Sequence, residues 1–103
     1  MSNYRRILDV YRAAPSFGDG VAAAMRELPE ADREIVRAVV SLCGATAGQI
    51  EDLTGLKHQT VSANIRHMVE AGLLEDRGER RTNENHRRCV VWQLAAHKVQ
   101  AVA

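Results

Sequence analysis

Tyr4, Ile7, Leu8 and Tyr11 recur at i, i+3, i+4 and i+7, which predicts an amphipathic helix over about residues 3–13. Pro15 ends it, because the residue before a proline is pushed out of the helical region. Ser16 to Gly20 carries two glycines and reads as a loop. Val21, Ala24, Met25 and Leu28 repeat the helical spacing, so a second helix is expected to run to about Leu28. Pro29 breaks the chain and suits the first position of a third helix, where a missing N–H is harmless. Glu30, Asp32 and Glu34 put negative charge near that helix's start, which favours its dipole. Ile35, Ala38, Val39 and Leu42 supply its buried face, and Gly44 is expected to stop it.

Thr46 and Gln49 fit a capping box opening a short helix to about Thr54, with Ile50 and Leu53 inward and Gly55 at its end. After Leu56 and Lys57 a longer helix follows, with apolar positions Val61, Ile65, Met68, Val69 and Ala71, closed by Gly72. The period then changes. Leu73 to Asp76 reads as a short strand, and Cys89 to Leu94, β-branched and aromatic, as a second. Between them Arg77 to Arg88 is polar and rich in turn formers, so the pair makes a hairpin with a long basic tip. Short helix, glycine turn, longer helix and hairpin together describe a helix-turn-helix with a wing. The expected fold is mostly α with a β-hairpin wing, a winged helix-turn-helix with two extra N-terminal helices. Three segments are expected: a helical extension over 1–28, the winged domain over 29–94, and a tail or short helix over 95–103.

The composition, 46% apolar and 26% charged in 103 residues, is that of one globular domain and excludes a wholly disordered chain. Four aromatic residues leave the core to Ala, Val, Leu and Ile. No apolar run approaches the length of a membrane span, and Met1 to Arg12 lacks the apolar stretch of a signal peptide. A cytoplasmic protein with no membrane association is therefore expected. Cys43 and Cys89 would be reduced and serve as small core residues. Net charge is only +1, but its distribution is uneven. Residues 28–56 carry −3, whereas 57–92 carry +2, and Arg77 to Arg88 holds five arginines against Glu79 and Glu84. A local basic stripe suffices for DNA, because affinity depends on local phosphate contacts.

Burying Val61 and Ile65 leaves Gln59, Ser62, Ala63 and Arg66 as one stripe on the longer helix. Such a stripe can read base edges in a major groove: Gln pairs with adenine, Arg with guanine, and Ala meets the thymine methyl. Arg80, Arg81, Arg87 and Arg88 would grip the backbone or minor groove. The apolar stripe Tyr4, Ile7, Leu8 and Tyr11 would join two subunits, presenting two such helices to adjacent half-sites; the alternative is that helix 3–13 caps its own domain. No Ser/His/Asp arrangement, phosphate-binding glycine loop or paired carboxylate stands out, so no enzyme is expected. His86 and Cys89 are the only close ligand pair, so neither a metal nor a cofactor is expected.

Gly55-Leu56-Lys57-His58-Gln59-Thr60-Val61-Ser62, followed by Ile65, Met68 and Gly72-Leu73-Leu74, resembles the recognition helix of MarR-type winged-helix regulators. The run His58 to Ala63, with Gly78-Glu79-Arg80-Arg81-Thr82 and Val91-Trp92, resembles small winged-helix proteins of bacteriophages and prophages more closely. The likeness spans about residues 30–94. It departs from the family pattern at Asn64, usually Arg, and at Asn83 to His86, usually a Ser-Gly turn. The resemblance implies a sequence-specific double-stranded DNA-binding regulator, a phage or prophage repressor, acting as a homodimer. Thr60 and Ser62 would then touch phosphate or bases. The whole candidate contact set is Lys57, His58, Gln59, Thr60, Ser62, Ala63, Asn64, Arg66 and His67, with Arg77, Arg80, Arg81, Arg87 and Arg88 on the wing. The competing expectation is a winged helix turned to protein binding, such as a phage inhibitor of a host or defence factor, which the acidic block Glu30 to Asp52 favours.

Overall fold

The structure is a computed structural model and describes residues 3–97. Five helices precede one hairpin: α1 (Tyr4–Ala13), α2 (Phe17–Glu27), α3 (Glu30–Ser41), α4 (Ala47–Thr54), α5 (His58–Glu70), β1 (Leu74–Thr82) and β2 (Arg88–Leu94). This is a winged helix-turn-helix with two helices before it, the expected fold class. Local signals explain most of the boundaries. The Asn3 side chain accepts from the Arg6 amide at the start of α1. Thr46 and Gln49 make the full reciprocal capping box at α4. Gly55 takes a left-handed φ of 72° and ends that helix.

Several boundaries differ from expectation. Residues 17–20 are helical, not loop: the Ser16 hydroxyl accepts from the Asp19 amide at 3.1 Å, and that cap outweighs two glycines. Pro29 is the cap of α3 rather than its first residue. That helix ends at Ser41, and the chain leaves through left-handed Cys43 (φ 51°) and Gly44 (φ 99°). Gly44 is required twice, by its φ and because a Cβ there would lie 2.8 Å from Val91 Cγ1. Cys43 is exposed and Cys89 half-buried, so neither is the core residue expected. Leu53, expected inward, is 58% exposed, and Ile50 alone is buried on α4.

The hairpin is longer than its apolar residues indicated. β1 and β2 pair antiparallel from Leu74↔Leu94 to Thr82↔Arg88, with a bulge between Asp76 and Arg80 where Gly78 adopts a φ of 93°. The true tip is only Asn83 to Arg87. There the Asn83 side chain accepts from the Asn85 and Arg87 amides, both at 2.9 Å, and so closes the turn. Ala45 pairs with Trp92 on the other side of β2 and anchors the wing to the α3–α4 connection. Residues 95–97 are not helical, and the remainder of the expected tail lies outside the described residues.

One core runs through the molecule and includes Leu8, Tyr11, Ile35, Ile50, Val61, Met68, Leu73 and Leu94. Of the two coverings expected for the N-terminal stripe, the chain's own core is the one present. Ile7, Leu8 and Tyr11 are buried against their own chain, and Tyr4 is half-buried, so the stripe is not a free subunit surface. The Tyr11 hydroxyl donates to the Ala95 carbonyl at 2.7 Å. Burial raises the pKa of that hydroxyl, which keeps it a neutral donor. Ile7, Leu8 and Tyr11 are interior because α1 packs onto the core shared with α3 to β2. No helix among the described residues is long and apolar enough to cross a membrane.

Candidate nucleic-acid interface

The orientation of α5 follows from what it buries. Val61, Ile65 and Met68 are almost wholly inaccessible, and they pack in one cluster with Ile50 of α4 and Ile35 of α3. The opposite side is therefore presented outward. Gln59, Ser62 and Arg66 are exposed there, while Ala63 is half-buried beside them. Lys57, at the cap position of α5, is exposed, and no side chain caps that helix. The unpaired amides and the positive end of the helix dipole thus face the same region as an ammonium group, a combination suited to phosphate.

The other candidates on α5 divide into two groups. His58 is exposed and directs Nδ1 at Glu51 Oε2, 3.0 Å away across the turn; its Nε2 lies 3.5 Å from Ser62 Oγ. That contact steadies the start of α5 against α4. Thr60 is half-buried. Asn64 is half-buried as well and belongs to an interior polar node rather than to the outward stripe. At its centre Asp32 of α3 is only 2% exposed and accepts a 2.7 Å hydrogen bond from the Tyr4 hydroxyl. Burial pushes the Asp32 carboxyl above the usual carboxylate range; the Tyr4 hydrogen bond, and the nearby Asn64 amide and His67, oppose that shift, while Asp32 Oδ1 has no hydrogen-bond partner among the described residues. His67 itself is exposed. Besides favouring the dipole of α3, Asp32 is interior to the fold. Its place three residues before Ile35, on the buried face of α3, was the signal that it would be interior.

The wing arginines are also of two kinds. Arg77 donates to the Leu94 carbonyl at 2.7 Å and pairs with Glu75. Arg80 grips Asp76 through both terminal nitrogens, at 2.8 and 3.1 Å. That bond holds the Asp76 carboxyl below its usual range. Arg81 donates to the Gly44 carbonyl at 2.8 Å and to Gln49 Oε1 at 2.9 Å. Arg87 and Arg88 are exposed, and among the described residues no hydrogen bond or ion pair engages their guanidinium groups or the charged ends of Arg66 and Lys57. Arg77, Arg80 and Arg81, expected among the DNA contacts, thus each already have acceptors within the chain.

Uncommitted donors therefore lie on the outward side and start of α5 and at the hairpin tip, with Lys57, Arg66, Arg87 and Arg88 as the cationic ones. No group of three or more His, Cys, Asp or Glu among the described residues is placed to hold a metal ion. The sequence pattern of the MarR family matches residues 35–88, just over half of the chain, from α3 to the beginning of β2. Comparison with curated proteins and with solved structures gives no match.

Proposed function

This chain belongs to the MarR family, and from that membership we propose that it is a sequence-specific double-stranded DNA-binding transcriptional regulator. The observation that carries this reading is the coincidence of two features. Gln59, Ser62 and Arg66 stand outward on α5 because Val61, Ile65 and Met68 are buried, and two unbonded arginines project from the adjacent wing. Placed in a major groove, α5 would read bases, and Arg87 and Arg88 would follow the phosphate backbone or enter the minor groove. The resemblance to bacteriophage proteins supports the finer reading of a phage or prophage repressor working in the bacterial cytoplasm.

A homodimer remains part of the proposal, since regulators of this family usually act as dimers. Its contact must use surface other than the buried stripe of α1. Light scattering that gives the mass of one chain at micromolar concentration would remove it. The reading as a whole is tested by anisotropy titration against DNA from the gene's own upstream region, with a salt series. Binding at least ~10³-fold tighter than to random DNA, falling steeply with salt, is expected. Equal affinity for both sequences would leave the protein-binding alternative as the better account.

A further inference from the structure

Beyond the bulge, the wing has few attachments to the rest of the molecule. β2 is held by the Ala45–Trp92 pair and by Gln93, whose amide donates to the Cys43 carbonyl at 3.3 Å. β1 pairs with β2 along the edge opposite Ala45. Arg81 is the residue of β1 that reaches back. One terminal nitrogen donates both to the Gly44 carbonyl and to Gln49 Oε1. The same Gln49 oxygen accepts the Thr46 amide at 3.0 Å, completing the capping box of α4. A side chain that ends α4's free-amide problem is thus also the anchor for the wing. From Thr82 to Arg88, the hydrogen bonds among described residues stay within the hairpin. Arg81 is the outermost point at which the wing is fastened to the helix-turn-helix.

We propose that Arg81 is a positioning residue: through Gln49 and Gly44 it sets the angle of the wing, so that Arg87 and Arg88 reach DNA in register with α5, and it touches no phosphate itself. This rests on the DNA-binding reading above. One terminal nitrogen of Arg81 meets both acceptors while the other lies 3.3 Å from Glu79 Oε2, so the planar guanidinium is held on two sides at once, whereas a lysine is a mobile point charge. A strut and a phosphate contact therefore respond differently to substitution.

The test uses the full chain with Arg81→Ala, Arg81→Lys and Gln49→Ala. Specific affinity should fall about tenfold in each, as expected for loss of hydrogen bonds to a charged group. The slope of log affinity against log salt should stay unchanged in Arg81→Ala, because no phosphate contact is removed. Arg81→Lys should not restore affinity. The double variant of Arg81 and Gln49 to Ala should bind no worse than the weaker single variant, since both remove one strut. Amide hydrogen exchange on the free proteins supplies the readout independent of DNA. Exchange over Asn83 to Arg88 should quicken in Arg81→Ala, with Val61 to Met68 unchanged. A salt slope lower by about one unit, or full rescue by lysine, would make Arg81 a phosphate contact. Unchanged exchange at the tip would overturn the strut even if affinity fell. Quickened tip exchange in a protein that does not prefer its upstream DNA would uphold the strut and overturn the DNA-binding reading instead.

Discussion

The base of one hairpin, taken as far as Arg81, and its tip, taken to Arg88, hold arginines of opposite character. At the base, Arg77, Arg80 and Arg81 lie among Glu75, Asp76, Glu79 and the carbonyls of Gly44 and Leu94, and each has found acceptors there. At the tip, the Asn83 side chain is occupied by the turn's own amides, and the side chains of Arg87 and Arg88 meet no acceptor among the described residues. Counting charge along residues 77–88 treats all five alike. What separates them is the distance to an internal acceptor. A guanidinium already bonded within the chain must give up that bond before it neutralises a phosphate, whereas an unbonded one gives up only water.

The comparison makes a ranked set of expectations. Replacing Arg87 and Arg88 together by Ala should weaken binding to every DNA sequence similarly and lower the salt slope by about two units. An unchanged slope would place the tip away from the backbone. Arg66→Ala should cost about 1–3 kcal/mol on a specific site and far less on random DNA, as for a base contact. Equal losses on both would make Arg66 another phosphate contact, of the same kind as the tip. Arg80→Ala should leave the salt slope unchanged and change affinity by no more than about twofold, because an exposed internal pair contributes little. A full unit lost from the slope would erase the distinction between base and tip.

The smallest effect concerns two carboxylates that show the same contrast. Asp76 is exposed and held below its usual range by Arg80, while Asp32 is interior and raised by burial. For Asp32 the folded protein holds the proton more tightly than the unfolded chain. Its stabilising contribution is therefore complete below the unfolded value and is lost as pH rises through the folded one. Asp32→Asn has no charge to bury, so it should melt above the parent protein at neutral pH. That advantage should shrink to nothing as pH falls below the usual carboxylate range. For Asp76 the sign is reversed: its contribution is present above the unfolded value and lost as pH falls through the folded one. Melting curves from acid to neutral pH check both. If Asp32→Asn proves less stable than its parent at neutral pH, the Tyr4 bond and the nearby Asn64 amide outweigh burial.

The sequence by itself determined those features whose causes are local. Spacing at i, i+3 and i+4 marked the five helices, and the Thr46–Gln49 box and Gly55 marked the ends of α4. Because a helix must bury one side, naming Val61 and Ile65 as interior was enough to turn Gln59, Ser62 and Arg66 outward. Only the tertiary structure decided what depends on partners distant along the chain. β1 extends through polar residues because β2 pairs with it, not because its own side chains alternate. Leu53 has helical spacing but no neighbour to cover it. The α1 stripe was legible as apolar, yet periodicity does not say whether its own chain or a second one covers it. The availability of each arginine depended on acceptors as far away as Gly44, 37 residues from Arg81. Hydrogen bonds and burial act through space over a few ångströms, and the sequence records position along the chain, so which charges remain free for a partner is settled only when the elements pack.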